Sequence, residues 1–390
     1  MLENRIFDNT EKAFALKSDS ELERAYFLFK MISKQPLVRI GTTVTRFALN
    51  ANLPVEGLIR ATVFDHFCGG VNEKDCQPVV DKMHNKSVHS VLDFSVEGKE
   101  KEKQFDAALE RVCHLIEFAR DKKSMPFSVF KPTGFGRFEV WRKVTEREEL
   151  TPSEKEEWER IRQRFDKICA KAKECDICLL IDAEESWMQE AADSLVEEMM
   201  EKYNKTKPIV FNTLQCYRWD RLEYLKVLHA DSIKKGYKLG VKIVRGAYME
   251  KERERASEKN YESPICKDKF ETDAHFNAVM AYIFDNLDDI WVFVGSHNEE
   301  SNYLAMELMN QKEITNNDRR VWFGQLYGMS DHISFNLASE GYNVAKYVPF
   351  GPVKDVMPYL IRRAEENTSV AGQTNRELTL LKQEKKRRKL

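Results

Sequence analysis

Two adjacent arginines near the C-terminal end are the residues best suited to hold an anion. In VPFGPVKDVMPYLIRRAEEN (348–367), a Gly351–Pro352 turn precedes a segment of helical spacing. Tyr359, Arg362, Arg363 and Glu366 fall at i, i+3, i+4 and i+7, so they project from one helical face. A guanidinium presents a planar fork of donors that matches a carboxylate two bonds at a time. A solvated face with an i,i+4 ion pair is the plainer reading of the same pattern. Which applies depends on where the rest of the chain puts that helix.

Eight short apolar runs lie upstream of it: SVHSVLDFSV (87–96), FSVFKPTG (127–134), ICLLIDAE (177–184), PIVFNTLQCY (208–217), KLGVKIVRG (238–246), IWVFVGSH (290–297), RVWFGQLYG (320–328) and NVAKYVPFG (343–351). They are rich in β-branched and aromatic residues, as strands of a parallel sheet buried on both faces are. Charged segments of helical period separate them. Eight strand–helix units over about 280 residues predict an α/β fold, a (β/α)8 TIM-type barrel. An open doubly wound sheet, with five or six strands, is the alternative. No G-x-G-x-x-G follows any run, so a Rossmann dinucleotide site is unsupported; Gly134-Phe135-Gly136 lacks the third glycine and the helix start.

Ahead of the barrel, residues 21–83 read as amphipathic helices, with a break at Asn52-Leu53-Pro54 and a stop at Gly69-Gly70. Residues 1–20 are polar and read as frayed. The end, KQEKKRRKL, reads as a disordered solvated tail or as a weak attractor for an anionic membrane surface. The expected organisation is a helical arm over 1–86, a barrel over 87–370 and a basic tail over 371–390.

Composition narrows the class. The chain has 390 residues, 42% hydrophobic and 32% charged, with 62 basic against 64 acidic side chains, so nothing in its balance calls for nucleic acid. There is no membrane-length apolar run, and MLENRIFDNTEKAF has neither an h-region nor the acid-poor composition of a mitochondrial presequence. The eight cysteines form no disulfide framework; Cys175-x-x-Cys178 has metal or redox spacing but no second pair, and reads as reduced and structural. A reducing compartment, the bacterial cytoplasm, follows as the expected location.

Barrel active sites form at the C-terminal ends of the strands. Those ends carry Lys131, Asp182 and Glu184, Gln215, Lys242, Arg245-Gly246-Ala247, Ser296-His297-Asn298, Leu326-Tyr327-Gly328 and Tyr347. Each alone has an ordinary structural explanation, but together they make a rim rich in donors with few acids to pair them. That chemistry suits a small anionic substrate and a large cofactor carrying phosphates. Gly246 allows close backbone approach to a phosphate, and Arg245 supplies charge beside it.

The motifs FKPTG, LLIDAEES, VKIVRGAYMEKERERA, SHNEES, FGQLYGMSD, KYVPFGPV and PYLIRRAEEN, in that order, resemble the proline dehydrogenase family, and its monofunctional eukaryotic-type branch most. The likeness runs from about Leu53 to the end of the double-arginine helix. It implies a (β/α)8 barrel with non-covalent FAD, oxidising L-proline to Δ1-pyrroline-5-carboxylate by hydride transfer from C5 to flavin N5 and passing electrons to a quinone-type acceptor. It further implies a carboxylate clamp of Arg362, Arg363 and Lys131, with Tyr359 and Glu366 supporting it, Glu366 also on the cofactor side. Asp182 and Lys242 match the active centre. Ala183, Gln215, Arg245, Gly246, Ala247, Ser296 and His297 match FAD-binding positions, and Tyr248 and Leu326 line the pocket. Lys242 departs from the arginine of the bifunctional bacterial enzymes, keeping the charge without the bidentate fork. The partner of Lys131 stays unassigned.

Tyr347 matches a position that packs against the proline ring and is small in hydroxyproline-preferring relatives, so proline is the expected substrate. Three rivals remain: a hydroxyproline dehydrogenase; a barrel aldolase or lyase with Lys131 or Lys242 as Schiff-base amine; and a non-catalytic barrel, which would have lost its rim residues. No metal is expected, and peripheral contact with the inner membrane is the furthest extension of the location.

Overall fold

The eight apolar runs form eight strands, each trimmed to its buried centre: β1 (Val88–Phe94), β2 (Phe127–Phe130), β3 (Cys178–Ile181), β4 (Val210–Gln215), β5 (Leu239–Val244), β6 (Ile290–Gly295), β7 (Val321–Leu326) and β8 (Val344–Phe350). The computed structural model describes residues 5–34, 36, 41, 43, 56–95, 100–369 and 371–390, with the backbone alone at 58, 61, 364–369 and 371–373. The strands make one sheet in the order β1-β8-β7-β6-β5-β4-β3-β2. The ladders from β2 to β6 and between β1 and β8 are parallel. With helices between the strands, this is the (β/α)8 barrel. Every residue of β2, β4 and β8 is buried, which is why these strands read as continuous rather than alternating apolar runs.

The chain divides into two compact units, residues 98–323 and residues 1–97 with 324–390. In the first, Phe127 at the start of β2 meets Phe211, Phe293 and Trp322 edge-on, with ring centroids 5.9, 5.2 and 5.0 Å away, a T-shaped arrangement that suits aromatic quadrupoles. The helix Pro152–Cys175 starts from a Thr151–Glu154 capping box with proline at its first turn. It stops at Asp176, which takes the left-handed conformation (φ 56°).

In the second unit, β8 pairs with β1 and is crossed closely by the backbone after the helix Asp65–Phe67. A Cβ on Gly69 would come within 2.5 Å of Val348 Cγ1, and Gly70 bridges Phe350. The glycine pair is thus a close-approach device as well as a stop signal. The Asn52-Leu53-Pro54 break lies outside the described residues.

Two expectations about the ends fail. The N-terminus is not frayed over residues 5–20: Phe7 and Phe14 are 0% and 2% exposed. Nor is the basic end disordered: Ala371–Arg388 is a helix, with Leu380 and Leu381 packed in one cluster with Ala13, Phe14, Leu22, Ala25 and Phe29. Three of its cations, Lys385, Arg387 and Arg388, are engaged. Arg388 donates to the carbonyls of Phe14 and Lys17 and pairs with Asp19 at 3.0 Å, while Lys385 pairs with Glu23 at 2.7 Å. Glu384 within the run pairs with Arg387 and Arg388, but the further acids, Asp19 and Glu23, lie more than 300 residues away in sequence, where local composition could not reveal them.

A triad of charges fixes the same unit. Lys346 of β8 is fully buried; its ammonium meets Asp331 Oδ1 at 2.9 Å and the carbonyls of Met329 and Leu326 at 2.7 and 3.3 Å. Lys17 reaches the other oxygen of Asp331 at 3.1 Å. Burial alone would raise the Asp331 pKa, but Lys17 and Lys346 outweigh it and hold the carboxyl well below its ordinary range. The first segment of the chain is thereby tied to the helix Asp331–Ser339.

If the C-terminal helix is part of the fold, Leu381→Ala will lower unfolding stability by about 2–5 kcal/mol. Urea unfolding followed by circular dichroism measures this. An unchanged midpoint would restore the disordered tail.

Candidate active site

The C-terminal ends of β3 and β5 bring opposite charges together. Lys242 is on β5, 5% exposed, and its ammonium is in contact with Asp182 Oδ1. Asp182 follows β3, and its backbone N–H donates to Phe130 O at 3.0 Å, carrying the sheet ladder one step beyond the strand. The two predicted active-centre residues are therefore a single ion pair. Burying it costs desolvation of both ions, which the short contact offsets only while both partners are present.

Beside them, Arg245 is fixed from three sides. Its guanidinium pairs with Asp273 at 2.6 Å, donates to Ser296 Oγ at 3.0 Å and Ser301 Oγ at 2.9 Å, and lies over the Phe276 ring. Three of its five N–H groups are thus used, leaving one on each terminal nitrogen. Gly246 follows with φ +130°, and a Cβ there would sit 2.5 Å from the Tyr217 ring. Both the conformation and the space admit only glycine. Ala247 is exposed, Ala183 and His297 are half-buried, and Gln215 and Ser296 are 3% exposed. A pre-oriented guanidinium with spare donors next to a bare backbone is a fitting cradle for phosphate oxygens. This donor set fits FAD.

The rim is better supplied with acids than the strand ends suggested. Asp273 comes from the helix Lys269–Asp285, and Glu184 lies beyond β3. Glu184 is 5% exposed and accepts from Tyr248 Oη at 2.7 Å and Thr133 Oγ1 at 2.9 Å. Burial raises its pKa, while the positive charge of Lys131 and the Tyr248 bond oppose that rise. The charge of Lys131 acts on Glu184, while the partner of Lys131 stays unassigned. The position of Glu184 at a strand end was visible; its contacts with two other loops were not.

The remaining predicted residues belong to the other unit. Tyr359 is 6% exposed in the helix Met357–Ser369, which is seated through Val356, Met357, Leu360 and Ile361 on Ile32, Ile59, Phe64 and Phe67. Leu326 packs against this cluster. The Arg363 guanidinium lies 5.1 Å from the Tyr359 ring centroid, the i,i+4 contact the spacing implied. Arg362 and Arg363 are half-buried, so the helix face is not a fully solvated one. Tyr347 is 8% exposed on β8, with its carbonyl accepting from Tyr327 N at 2.8 Å. The Glu366 side chain lies outside the described residues.

Two other features are distinct from these residues. A cavity of about 100 Å³ is lined by Lys17, His66, Tyr327, Asp331 and Lys346 among others; of the strand-end residues read from the sequence it includes Tyr327 and Gly328. All eight cysteines are free. Cys175 Sγ contacts Arg120 and Glu117, whereas Cys178 Sγ points to Pro208 O, so the two thiols have separate surroundings.

The ion pair gives a test that separates folding from chemistry. Asp182→Asn, which takes the carboxylate from the buried Lys242, will destabilise the protein by about 3–5 kcal/mol. The double variant Asp182→Asn/Lys242→Met will recover most of that loss without recovering activity. Denaturant unfolding alongside turnover measures both, and full stability in the single variant would show that the pair is not structurally coupled.

Comparison with known proteins identifies the family. A carbapenem antibiotics biosynthesis protein of Pectobacterium carotovorum subsp. carotovorum is 35% identical over 333 residues, 85% of this chain and 86% of that protein. The mitochondrial proline dehydrogenase 1 of Dictyostelium discoideum is 30% identical over an alignment of 434 positions, 99% of this chain and 75% of that protein. Among solved structures, proline utilization A of Bdellovibrio bacteriovorus, inactivated by N-propargylglycine, matches with a TM-score of 0.72 at 20% identity, over 95% of this chain and 40% of that one. The family model for proline dehydrogenase matches residues 76–376, from before β1 to the C-terminal helix. The chain belongs to the proline dehydrogenase family and is an oxidoreductase of proline catabolism.

Proposed function

We propose that this chain oxidises L-proline to Δ1-pyrroline-5-carboxylate with FAD as its electron carrier. The observation that carries this reading is the buried Lys242–Asp182 pair set beside the Arg245–Gly246 cradle. When bound, FAD supplies the acceptor chemistry, taking hydride from proline C5 at its N5 and passing electrons to a quinone-type acceptor. Arg245, with Ser296 and Gln215, holds the cofactor's phosphate-bearing part. Ala183, Gly246, Ala247, His297 and Glu366 are the further cofactor contacts.

The residues' own contribution is positioning and charge. Lys242, held in place by Asp182, stabilises negative charge that develops as the substrate is oxidised. Arg362, Arg363 and Lys131 take the substrate carboxylate, with Tyr359 ordering the arginine pair and Tyr248 and Leu326 lining the pocket. Holding the ring in one orientation replaces a costly search with a near-unimolecular step. Tyr347 leaves no room for a 4-hydroxyl, which favours proline over hydroxyproline.

Among the described residues no helix is long and apolar enough to cross a membrane. We place the enzyme in the cytoplasm with peripheral access to a membrane quinone. Lys385, Arg387 and Arg388 are engaged with acids, so contact with an anionic surface falls to other residues.

The decisive measurement is the absorbance of the purified protein under anaerobic conditions. A flavin spectrum that bleaches with L-proline, and at least tenfold less efficiently with 4-hydroxyproline, is expected; an unbleached flavin rejects the reading. A second expectation concerns the clamp. Arg362→Ala will raise the proline KM at least tenfold with flavin content within a few per cent of the parent, and an unchanged KM in a flavin-replete variant removes Arg362 from the clamp.

A further inference from the structure

Arg245 is gripped by one face of a single helix. In Lys269–Asp285, Asp273, Phe276 and Asn277 stand at i, i+3 and i+4, so they share a face. Asp273 Oδ1 accepts from Arg245 Nε at 2.6 Å, and the guanidinium lies 4.5 Å from the Phe276 ring centroid. Asn277 Oδ1 accepts from Ser301 Oγ at 3.1 Å, and that hydroxyl in turn accepts from Arg245 Nη2 at 2.9 Å. The other oxygen of Asp273 is in contact with the Lys269 ammonium. One carboxylate thus serves an inner arginine and an outer lysine, with side chains 23% and 66% exposed.

The carboxylate is not needed to keep the arginine charged, because a guanidinium holds its proton throughout the working range of pH. Nor does attraction for an anion call for it, since a negative charge beside Arg245 opposes the approach of a phosphate. What it adds is direction. An unrestrained arginine side chain samples many rotamers, and a ligand that immobilises it loses that entropy from its own affinity. Here Asp273 takes Nε–H, and a serine takes one N–H of each terminal nitrogen, so turning the guanidinium would break three hydrogen bonds. The two N–H groups left over form a fixed fork, the arrangement that meets phosphate oxygens in pairs.

We propose that Asp273 is a positioning residue for the cofactor: it aims the Arg245 fork at the phosphates of FAD and, in doing so, gives up part of the arginine's attraction for them. The proposal rests on the FAD-binding reading above. Asp273 acts through Arg245, and Lys269 offsets part of the opposing charge by sharing the same carboxylate.

Direction and charge have opposite signs, and two substitutions separate them. Asp273→Asn retains an oxygen that accepts from Arg245 Nε and removes the negative charge, so the aim survives and the attraction grows. Asp273→Ala removes acceptor and charge together, leaving the arginine to the two serines and the Phe276 ring. Both partners of the Arg245–Asp273 pair are about a quarter exposed, so solvent weakens the gain in attraction and the loss of aim wins. A residue needed only for packing or for the stability of its helix would move both variants the same way.

The test is the rate at which the flavin-loaded, full-length protein releases its cofactor after dilution, read as the rise in flavin fluorescence. Asp273→Ala will release flavin at least tenfold faster than the parent. Asp273→Asn will release it more slowly than the parent at low salt, and the difference will shrink as added salt screens the charge. Asp273→Asn matches the parent side chain in shape and decides the matter if Asp273→Ala does not fold. Release from Asp273→Asn as fast as from the parent or faster at low salt, or release from Asp273→Ala less than tenfold faster, overturns the proposal. A parent protein that binds no flavin would instead overturn the cofactor reading on which it rests.

Discussion

A lysine ammonium buried at a strand end needs a carboxylate, and that constraint organises the loops of the larger unit. Lys242 projects from the centre of the sheet, so its counter-ion has to come from a neighbouring strand end. β3 supplies Asp182 across β4. Beyond Asp182 the same two segments meet again, as Glu184, Glu185 and Ser186 find Tyr248, Lys251 and Glu252. The contacts differ in worth. Lys251–Glu185 has an exposed cation and adds little to stability. The Lys242–Asp182 contact is buried, so losing one partner removes the contact that offsets the other ion's desolvation.

The other unit solves a different problem, holding two arginines on a helix without letting the helix drift. It does so with apolar contact. Val356, Met357, Tyr359, Leu360 and Ile361 pack in one cluster with side chains from the helices Asp19–Ile32 and Asp65–Phe67 and from the helical segments Glu56–Ile59 and Arg60–Phe64. The arginines are left at the edge of that contact, half-buried, where a guanidinium keeps its charge and a partial hydration shell. Beneath this, Lys17, Asp331 and Lys346 tie the start of the chain to the helix after β7, and the terminal helix packs its leucines against the same N-terminal segment. The ends of the chain thus support the element that carries the arginines.

The barrel was legible because a doubly buried parallel strand has one unmistakable form, a short apolar run such as IVFNTLQ or NVAKYVPF, and eight of these occur in succession. The site was legible to the extent that function sits at strand ends: Asp182, Lys242, Arg245 and Gly246 are all within a few residues of a strand. The sequence could not reveal pairings made across long separations. Asp273 holds Arg245 from 28 positions away, Glu184 meets Thr133 from 51, and Arg376 meets Asp8 from 368. The same blindness made the basic tail look solvated. Glu384 answers Arg387 and Arg388 locally, but the packing of Leu380 and Leu381 and the pairs to Asp19 and Glu23 come from the other end of the chain.

Those distant acids alter the chemistry of the rim. A cluster of unpaired lysines and arginines would attract any small anion, because charge alone discriminates poorly. Here the paired cations have a direction as well as a charge: Arg245 is turned by Asp273 and two serine hydroxyls, and Lys242 by Asp182. An incoming carboxylate or phosphate must approach along the donors left over, so the acids convert attraction into geometry. They also weaken the attraction, since each opposes the charge it orients. The balance selects ligands whose own shape supplies the missing contacts, which suits a substrate that is a small rigid ring bearing a single carboxylate.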